Sequence, residues 1–146
     1  MKHRESKKSY RIKNFIVAES GGTLVEFAIV AGLILTPLLL GLFEFGYATW
    51  ARNNVTADAR EGARYAIVHG SSSGAVATVD SVRRFVRSKT SLDTTGTDSI
   101  RVYAVWSATK NPGSMVEVSV AHTVARRGLF IPAHTDSATS KMVILF

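Results

Sequence analysis

Charged and uncharged positions separate along this chain into one long apolar run and a mixed remainder. From Phe27 to Phe43 the sequence reads FAIVAGLILTPLLLGLF, without a charged residue. With its flanking residues the run fills residues 22–47, enough for the roughly 20 residues that a helix needs to cross about 30 Å of hydrocarbon. A buried core helix is the alternative, but a chain of 146 residues leaves little structure to surround one. We therefore predict a membrane-spanning helix over residues 22–47.

Two carboxylates bound the apolar run. Glu26 and Glu44 lie 18 positions apart, which is about 27 Å and five whole turns along a helix, so both lie on one face. Pro37 lies between them and removes a backbone hydrogen bond. The sequence therefore predicts a kink near residues 32–37.

Basic residues are concentrated before the run. Residues 1–21 carry six basic and two acidic side chains, so this segment holds +4 of the formal charge of +7. Arg52 is the first basic residue after the run. Because basic residues flank the cytoplasmic side of membrane helices, we predict a cytoplasmic N-terminus and an extracytoplasmic C-terminal domain. The residues expected at the outer interface are aromatic: Phe43, Phe45, Tyr47 and Trp50.

A cleaved secretory signal is a second interpretation of the same segment. Such signals have an apolar core of about 7–15 residues, followed closely by a small-x-small site. The run here is longer, and the nearest Ala-x-Ala, at residues 57–59, lies well beyond it. An anchor that stays uncleaved on the outer side of the membrane is therefore favoured.

Helical periodicity continues beyond the run. No proline occurs between Glu44 and Val68, and small or apolar residues recur at helical spacing: Ala48, Ala51, Val55, Ala59, Gly62, Ala63, Ala66 and Ile67. Residues 69–74 end this helix. A second, amphipathic helix is predicted from Ala75 to Lys89, and a solvated face explains its arginines, with lipid headgroups as the alternative partner. These arginines, Arg83, Arg84 and Arg87, lie opposite the apolar stripe of the helix.

The C-terminal part alternates between apolar and polar residues. Residues 99–106 and 115–120 have the period of strands, and the turn sequence at 110–114 predicts that they form a hairpin. Residues 137–146 predict a third strand. Residues 126–132 connect these strands with an apolar tip, which could contact a partner, contact the membrane or pack locally. The fold class is therefore α+β, with a small antiparallel sheet.

Composition narrows the possible chemistry. The chain has no cysteine, which excludes disulfides and thiolate metal sites. Its histidines are scattered and no catalytic motif occurs, so we expect no enzyme, cofactor or metal site. A pI near 10.1 suggests a nucleic-acid-binding protein. However, a third of the basic residues lie before the span, where the cytoplasmic location of the N-terminus explains them. We therefore expect no nucleic-acid partner. The histidines are His3, His69, His122 and His134.

The junction between the basic segment and the apolar helix reads ESGGTLVEF over residues 19–27. It resembles the processing site of type IVb pilins and pseudopilins, in which a prepilin peptidase cuts after a glycine in the pattern G-x-x-x-x-E-[F/Y]. The resemblance implies a cut between Gly21 and Gly22. It also implies that Glu26, with Phe27 beside it, is an assembly residue that pairs with the N-terminal ammonium of a neighbouring subunit. The alternative is that Glu26 caps the helix at the cytoplasmic interface.

Two further stretches narrow the resemblance to the TadE-like family. LFEFGY at 42–47 and NNVTADAREGARYA at 53–66 look like its signature segments. The signature residues are Glu44, Phe45, Gly46, Ala59, Arg60, Glu61, Gly62, Ala63 and Arg64.

The family implies a pilin-like pseudopilin of a Flp (tight-adherence) pilus or a related secretion system. It would lie in the bacterial inner membrane or in the pilus itself, with membrane lipid, prepilin peptidase, other pilins or pseudopilins and the assembly machinery as partners. The expected domains are a leader (1–21), a transmembrane helix (22–47), and a helical stalk with an outer α+β domain (48–146). The alternative function is an unprocessed, membrane-anchored accessory protein whose outer domain binds a partner.

Overall fold

The elements come from a computed structural model that describes residues 18–92, 98–125 and 130–145, with side chains from residue 21. Their order is helices first and strands last, which confirms the α+β fold class. The first of two structural units ends at Leu40 and the second begins at Gly41. In chain order the elements are α1 (Ala18–Val30), a π-helical turn (Ala31–Leu35), α2 (Thr36–Val68), α3 (Val79–Lys89), β1 (Ser99–Trp106), β2 (Met115–Val124) and β3 (His134–Val143).

The apolar run is helical and exposed. Among the described residues, one helix, Gly21–Val68, is long and apolar enough to cross a membrane, with a mean hydropathy of 2.2 over its most apolar stretch. None of that stretch is buried, so it is not the core helix of a soluble domain. The helix is therefore compatible with a single membrane anchor.

Pro37 is preceded by a π-helical turn, near the position where the sequence predicts a kink. Because proline cannot donate a hydrogen bond and its ring crowds the preceding turn, the backbone widens into the π-helical turn Ala31–Leu35. The Thr36 hydroxyl donates to the carbonyl oxygen of Ala31 at 3.0 Å, which adds a second bond to that oxygen.

The outer half of α2 packs through small residues. Its buried positions recur at three- and four-residue spacing, as expected for one helix face: Ala51, Val55, Asp58, Ala59, Gly62, Ala63 and Ala66. All of them except Asp58 were predicted from the sequence. Asp58 has the spacing of the buried face, but its charge is not typical of a buried position.

The sheet has the order β1-β2-β3 and is antiparallel throughout. Because side chains alternate across a strand, one face is buried with the helices and the other is mostly polar. The central strand contributes most to the core, with Val116, Val118 and Val120 each fully buried.

Three elements have boundaries that differ from the prediction. Helix α3 begins at Val79 rather than Ala75, because Thr78 and Ser81 form a reciprocal capping box that fixes its first turn. Strand β2 extends to Val124, beyond the predicted end at residue 120. Strand β3 spans His134–Val143 rather than 137–146, since its pairing runs from Val124 opposite His134 to Met115 opposite Val143. Phe146, the last residue of that predicted strand, lies outside the described residues.

Candidate functional site

The predicted processing and assembly residues lie together on α1. A Cβ added at Gly21 or Gly22 would meet nothing within 4 Å. Glu26 is exposed, and the Phe27 side chain is 67% exposed. Most of the predicted leader lies outside the described residues. The surface of α1 at these positions is therefore accessible to another protein, while the cut and the role of Glu26 stay predictions.

Glu44 holds a turn that is distant in sequence. Its carboxylate oxygen Oε2 accepts hydrogen bonds from the backbone N–H of Phe130, at 2.9 Å, and of Ile131, at 3.1 Å. Bonds to a charged acceptor are stronger than those between neutral groups. Glu44 therefore ties the turn at 130–132, which precedes β3, to α2. The neighbouring signature residues are free of such packing, since Phe45 is 69% exposed and a Cβ at Gly46 would meet nothing within 4 Å.

An apolar crevice of about 240 Å³ lies beside this contact, between α2 and the ends of β2 and β3. Its lining is mostly aliphatic and aromatic, with Glu44 and His134 as the polar members. Among the described residues, the lining consists of Phe43, Glu44, Tyr47, Ala48, Ala51, Val124, Ile131 and His134.

Gly62 marks the closest approach of α2 to the rest of the core. A Cβ at this position would lie 2.9 Å from Val86 Cγ2 and 3.1 Å from Val118 Cγ1. Its backbone φ is not positive, unlike those of Gly74 and Gly113. Gly62 is therefore required for space and not for backbone conformation.

Asp58 is a buried carboxyl that hydrophobic periodicity does not identify as a packing residue. It is 8% exposed, and its Oδ2 accepts a hydrogen bond from the Thr90 hydroxyl at 2.6 Å. Burial raises the pKa of Asp58, and the hydrogen bond from Thr90 opposes that change. One turn away, the Ser91 hydroxyl donates to Asn54 Oδ1 at 2.8 Å. These two bonds attach the end of α3 to α2.

Residues 21–64 match the family model described as TadE-like protein. We call residues 21–64 the TadE-like segment. The match confirms the resemblance seen in the sequence, and it suggests a component associated with a Tad pilus. Comparisons with curated proteins and with solved structures find no match.

The TadE-like segment joins two surfaces of different character. Before Glu44 its large apolar side chains are exposed, whereas between Ala51 and Ala63 small residues pack against the outer domain. Some of the signature residues are buried, namely Ala59, Gly62 and Ala63. The charged ones between and after them are exposed: Arg60, Glu61 and Arg64. In this chain the signature residues therefore combine a packing face with a charged, accessible one.

The described residues hold no cluster of three or more histidine, aspartate or glutamate side chains that could bind a metal ion. His122 lies fully buried on β2, near enough to Asp58 to interact with it electrostatically. Of the other histidines in the described residues, His69 stacks on Tyr65 and His134 contacts Asp136. The three side chains are thus in separate places.

Proposed function

We propose that this chain is a pseudopilin, a structural or assembly subunit of a Flp-type (tight-adherence) pilus or a related secretion system. It is anchored in the bacterial inner membrane with a cytoplasmic N-terminus, and a prepilin peptidase releases it from its leader between Gly21 and Gly22. The observation that carries the proposal is that the TadE-like match begins at Gly21, at the predicted cut, and continues through the exposed apolar helix.

The exposed helix supports a role in association. Its apolar side chains include Leu24, Phe27 and Leu33, which are 67–73% exposed. Such a surface is stable only in lipid or against other apolar helices. A subunit that moves from membrane to filament exchanges one of these environments for the other.

The charge of Glu26 supports the same role. A carboxylate within an apolar helix is costly in the membrane unless it is paired, and it usually marks function. Cleavage after Gly21 would create a new ammonium group at Gly22. That cation is the partner that the family resemblance assigns to Glu26 of an adjacent subunit.

Glycine at the predicted cleavage site also suits the change in backbone conformation that cleavage requires. Residues 18–22 belong to α1, and a protease binds an extended chain, so the helix must unwind there. Each glycine lowers helix stability by about 1 kcal/mol relative to alanine. Gly21 and Gly22 together therefore make local unwinding easier.

The mature N-terminus tests the proposal. In a host with active prepilin peptidase and tight-adherence machinery, intact mass should show a chain that begins at Gly22. Gly21→Leu should block the cut, whereas Gly32→Leu, at another open helical glycine, should be processed normally. A full-length chain that keeps Met1 in this host would contradict the proposal.

Assembly is tested separately. Glu26→Ala and the isosteric Glu26→Gln should both be cleaved, yet both should be missing from sheared surface filaments, because each lacks the charge that pairs with the ammonium. Glu26→Asp retains the charge and is the matched control. Normal incorporation of Glu26→Ala would remove Glu26 from the assembly residues.

An unprocessed accessory protein is the alternative function. The helical conformation of residues 18–22 favours it, because the cut site is not already extended. In that case the leader is retained, the chain stays in the detergent-extracted membrane fraction, and the outer domain alone binds the partner.

A further inference from the structure

The turn at 130–132 returns to the helix at the outer end of the predicted span. A Cβ placed on Gly41 would lie 3.9 Å from Phe130 Cδ2. One turn further along α2, Glu44 accepts the two backbone hydrogen bonds from Phe130 and Ile131. A segment more than 80 residues away in sequence is therefore fixed beside the last uncharged turn of the apolar run.

The level of this turn follows from helix geometry. The uncharged run between Glu26 and Glu44 covers about 27 Å at 1.5 Å per residue, close to the roughly 30 Å of a hydrocarbon core. This places Glu44 at the outer boundary and Gly41 about 4.5 Å deeper. The Phe130 ring, 53% exposed, lies at the level of Gly41, where Phe43 and Phe45 are also exposed.

The backbone of the turn is suited to an environment poor in water. Unpaired N–H groups are strongly unfavourable there. Phe130 and Ile131 both donate to Glu44, and Pro132 has no N–H to satisfy. All three consecutive residues therefore lack a free donor, although Phe130 remains exposed.

We propose that the turn at 130–132 is a second membrane contact, in which the Phe130 ring enters the outer interface of a phospholipid bilayer beside the span. The inference rests on the membrane anchoring proposed above. Lipid is favoured over a protein partner because the ring lies level with the end of the apolar run, and because aromatic rings concentrate at the membrane–water interface. The outer domain is then held at the bilayer by two points, the helix and the turn.

Depth-dependent quenching tests the contact. The full chain, with Trp50 and Trp106 changed to Phe, receives one new tryptophan and is reconstituted in phosphatidylcholine vesicles brominated either near the headgroup or near the middle of the acyl chain. Phe130→Trp should lose most of its fluorescence with the shallow bromines and less with the deep ones. Tyr103→Trp is the matched control, since Tyr103 is 54% exposed on the outer face of β1 and should keep its fluorescence.

Phe43→Trp, on the apolar run itself, separates failure of the inference from failure of the anchor. If the bromines quench Phe43→Trp but affect Phe130→Trp no more than Tyr103→Trp, the second contact is wrong and the anchor stands. If neither Phe43→Trp nor Phe130→Trp is quenched, the anchor and the second contact are both wrong.

Glu44 provides a second test in the same vesicles. Glu44→Leu leaves the two N–H groups without their acceptor, so Phe130→Trp should lose its quenching while Phe43→Trp keeps it. Glu44→Gln retains a carbonyl acceptor and should keep most of the quenching. Circular dichroism checks that each variant is folded. Equal quenching of Phe130→Trp in the wild-type and Glu44→Leu backgrounds would contradict the role of the carboxylate.

Discussion

Replacing Gly62 with alanine tests the packing of the TadE-like segment. The added methyl would lie 2.9 Å from Val86 Cγ2 and 3.1 Å from Val118 Cγ1, closer than carbon atoms normally approach. Both valines are fully buried, and as β-branched residues they have few alternative rotamers. We therefore expect the methyl to separate α2 from α3 and β2.

Two opposing contributions determine how much Gly62→Ala changes the free energy of unfolding. Overfilling a packed core costs about 1–3 kcal/mol, whereas alanine gains about 1 kcal/mol over glycine in helix propensity. The net expectation for Gly62→Ala is a loss of roughly 0–2 kcal/mol. For a unit of this size, each kcal/mol corresponds to about 4–8 °C in Tm.

Guanidinium unfolding of the full chain in dodecyl maltoside, followed by circular dichroism, measures the free energy of unfolding. Gly46→Ala is the control, because a Cβ there would meet nothing within 4 Å and only the propensity gain remains. Val86→Ala completes a double-mutant cycle with Gly62→Ala. The second substitution should cost less when alanine already occupies position 62, by about 0.5–3 kcal/mol. The reasoning is refuted if Gly62→Ala is as stabilising as Gly46→Ala, or if the cycle shows no coupling.

Three further predictions concern the outer domain. Asp58 has a raised pKa in the folded state, so the folded chain binds its proton more readily than the unfolded one. Stability from this group is then greatest at low pH and is lost as pH rises through the folded pKa. The wild type should therefore gain stability relative to Asp58→Asn as pH falls below neutrality, and a pH series of guanidinium midpoints checks the sign. Thr78→Ala removes the N-cap of α3 and should cost about 1 kcal/mol, whereas Thr78→Asp should cost less; thermal unfolding followed by circular dichroism measures both. The exposed Lys141–Glu117 pair, 2.9 Å apart, should contribute under about 1 kcal/mol, so Lys141→Ala should barely change the midpoint; a loss near that of Thr78→Ala would contradict this.

Local patterns were sufficient to predict much of the fold. The alternation of β1 gave its bounds, Ser99–Trp106, as the structure has them. The small residues on α2 recur with helical period, and periodicity alone gives the buried face. The apolar run and the segment 53–66 also carried enough residue-specific pattern to indicate a resemblance to the TadE-like family, and the family model matches residues 21–64.

Long-range contacts account for what the sequence could not predict. Hydrophobic periodicity does not mark Asp58 as buried, because a charged residue is rarely buried without a partner. Its partner, Thr90, lies 32 residues away. The same holds for Glu44, whose bonded turn is 86 residues distant. The ends of β3 depend on its pairing with β2, whereas alternation along one strand gives only the face on which each side chain lies.

The core contact around Gly62 is formed by small residues inside the matched segment and larger residues outside it. The TadE-like segment supplies the small side of the contact, Ala59, Gly62 and Ala63, whereas the residues that fill the space lie beyond residue 64. These are chiefly Val82, Val86 and Val118, each within 3.6 Å of a Cβ built at Gly62. A small residue leaves space that different side chains can fill. The same helical segment could therefore pack against outer domains of different sequence, if each has large side chains at this contact. The matched segment thus supplies the surface on which the outer domain packs, while the larger side chains that fill this surface lie outside the match.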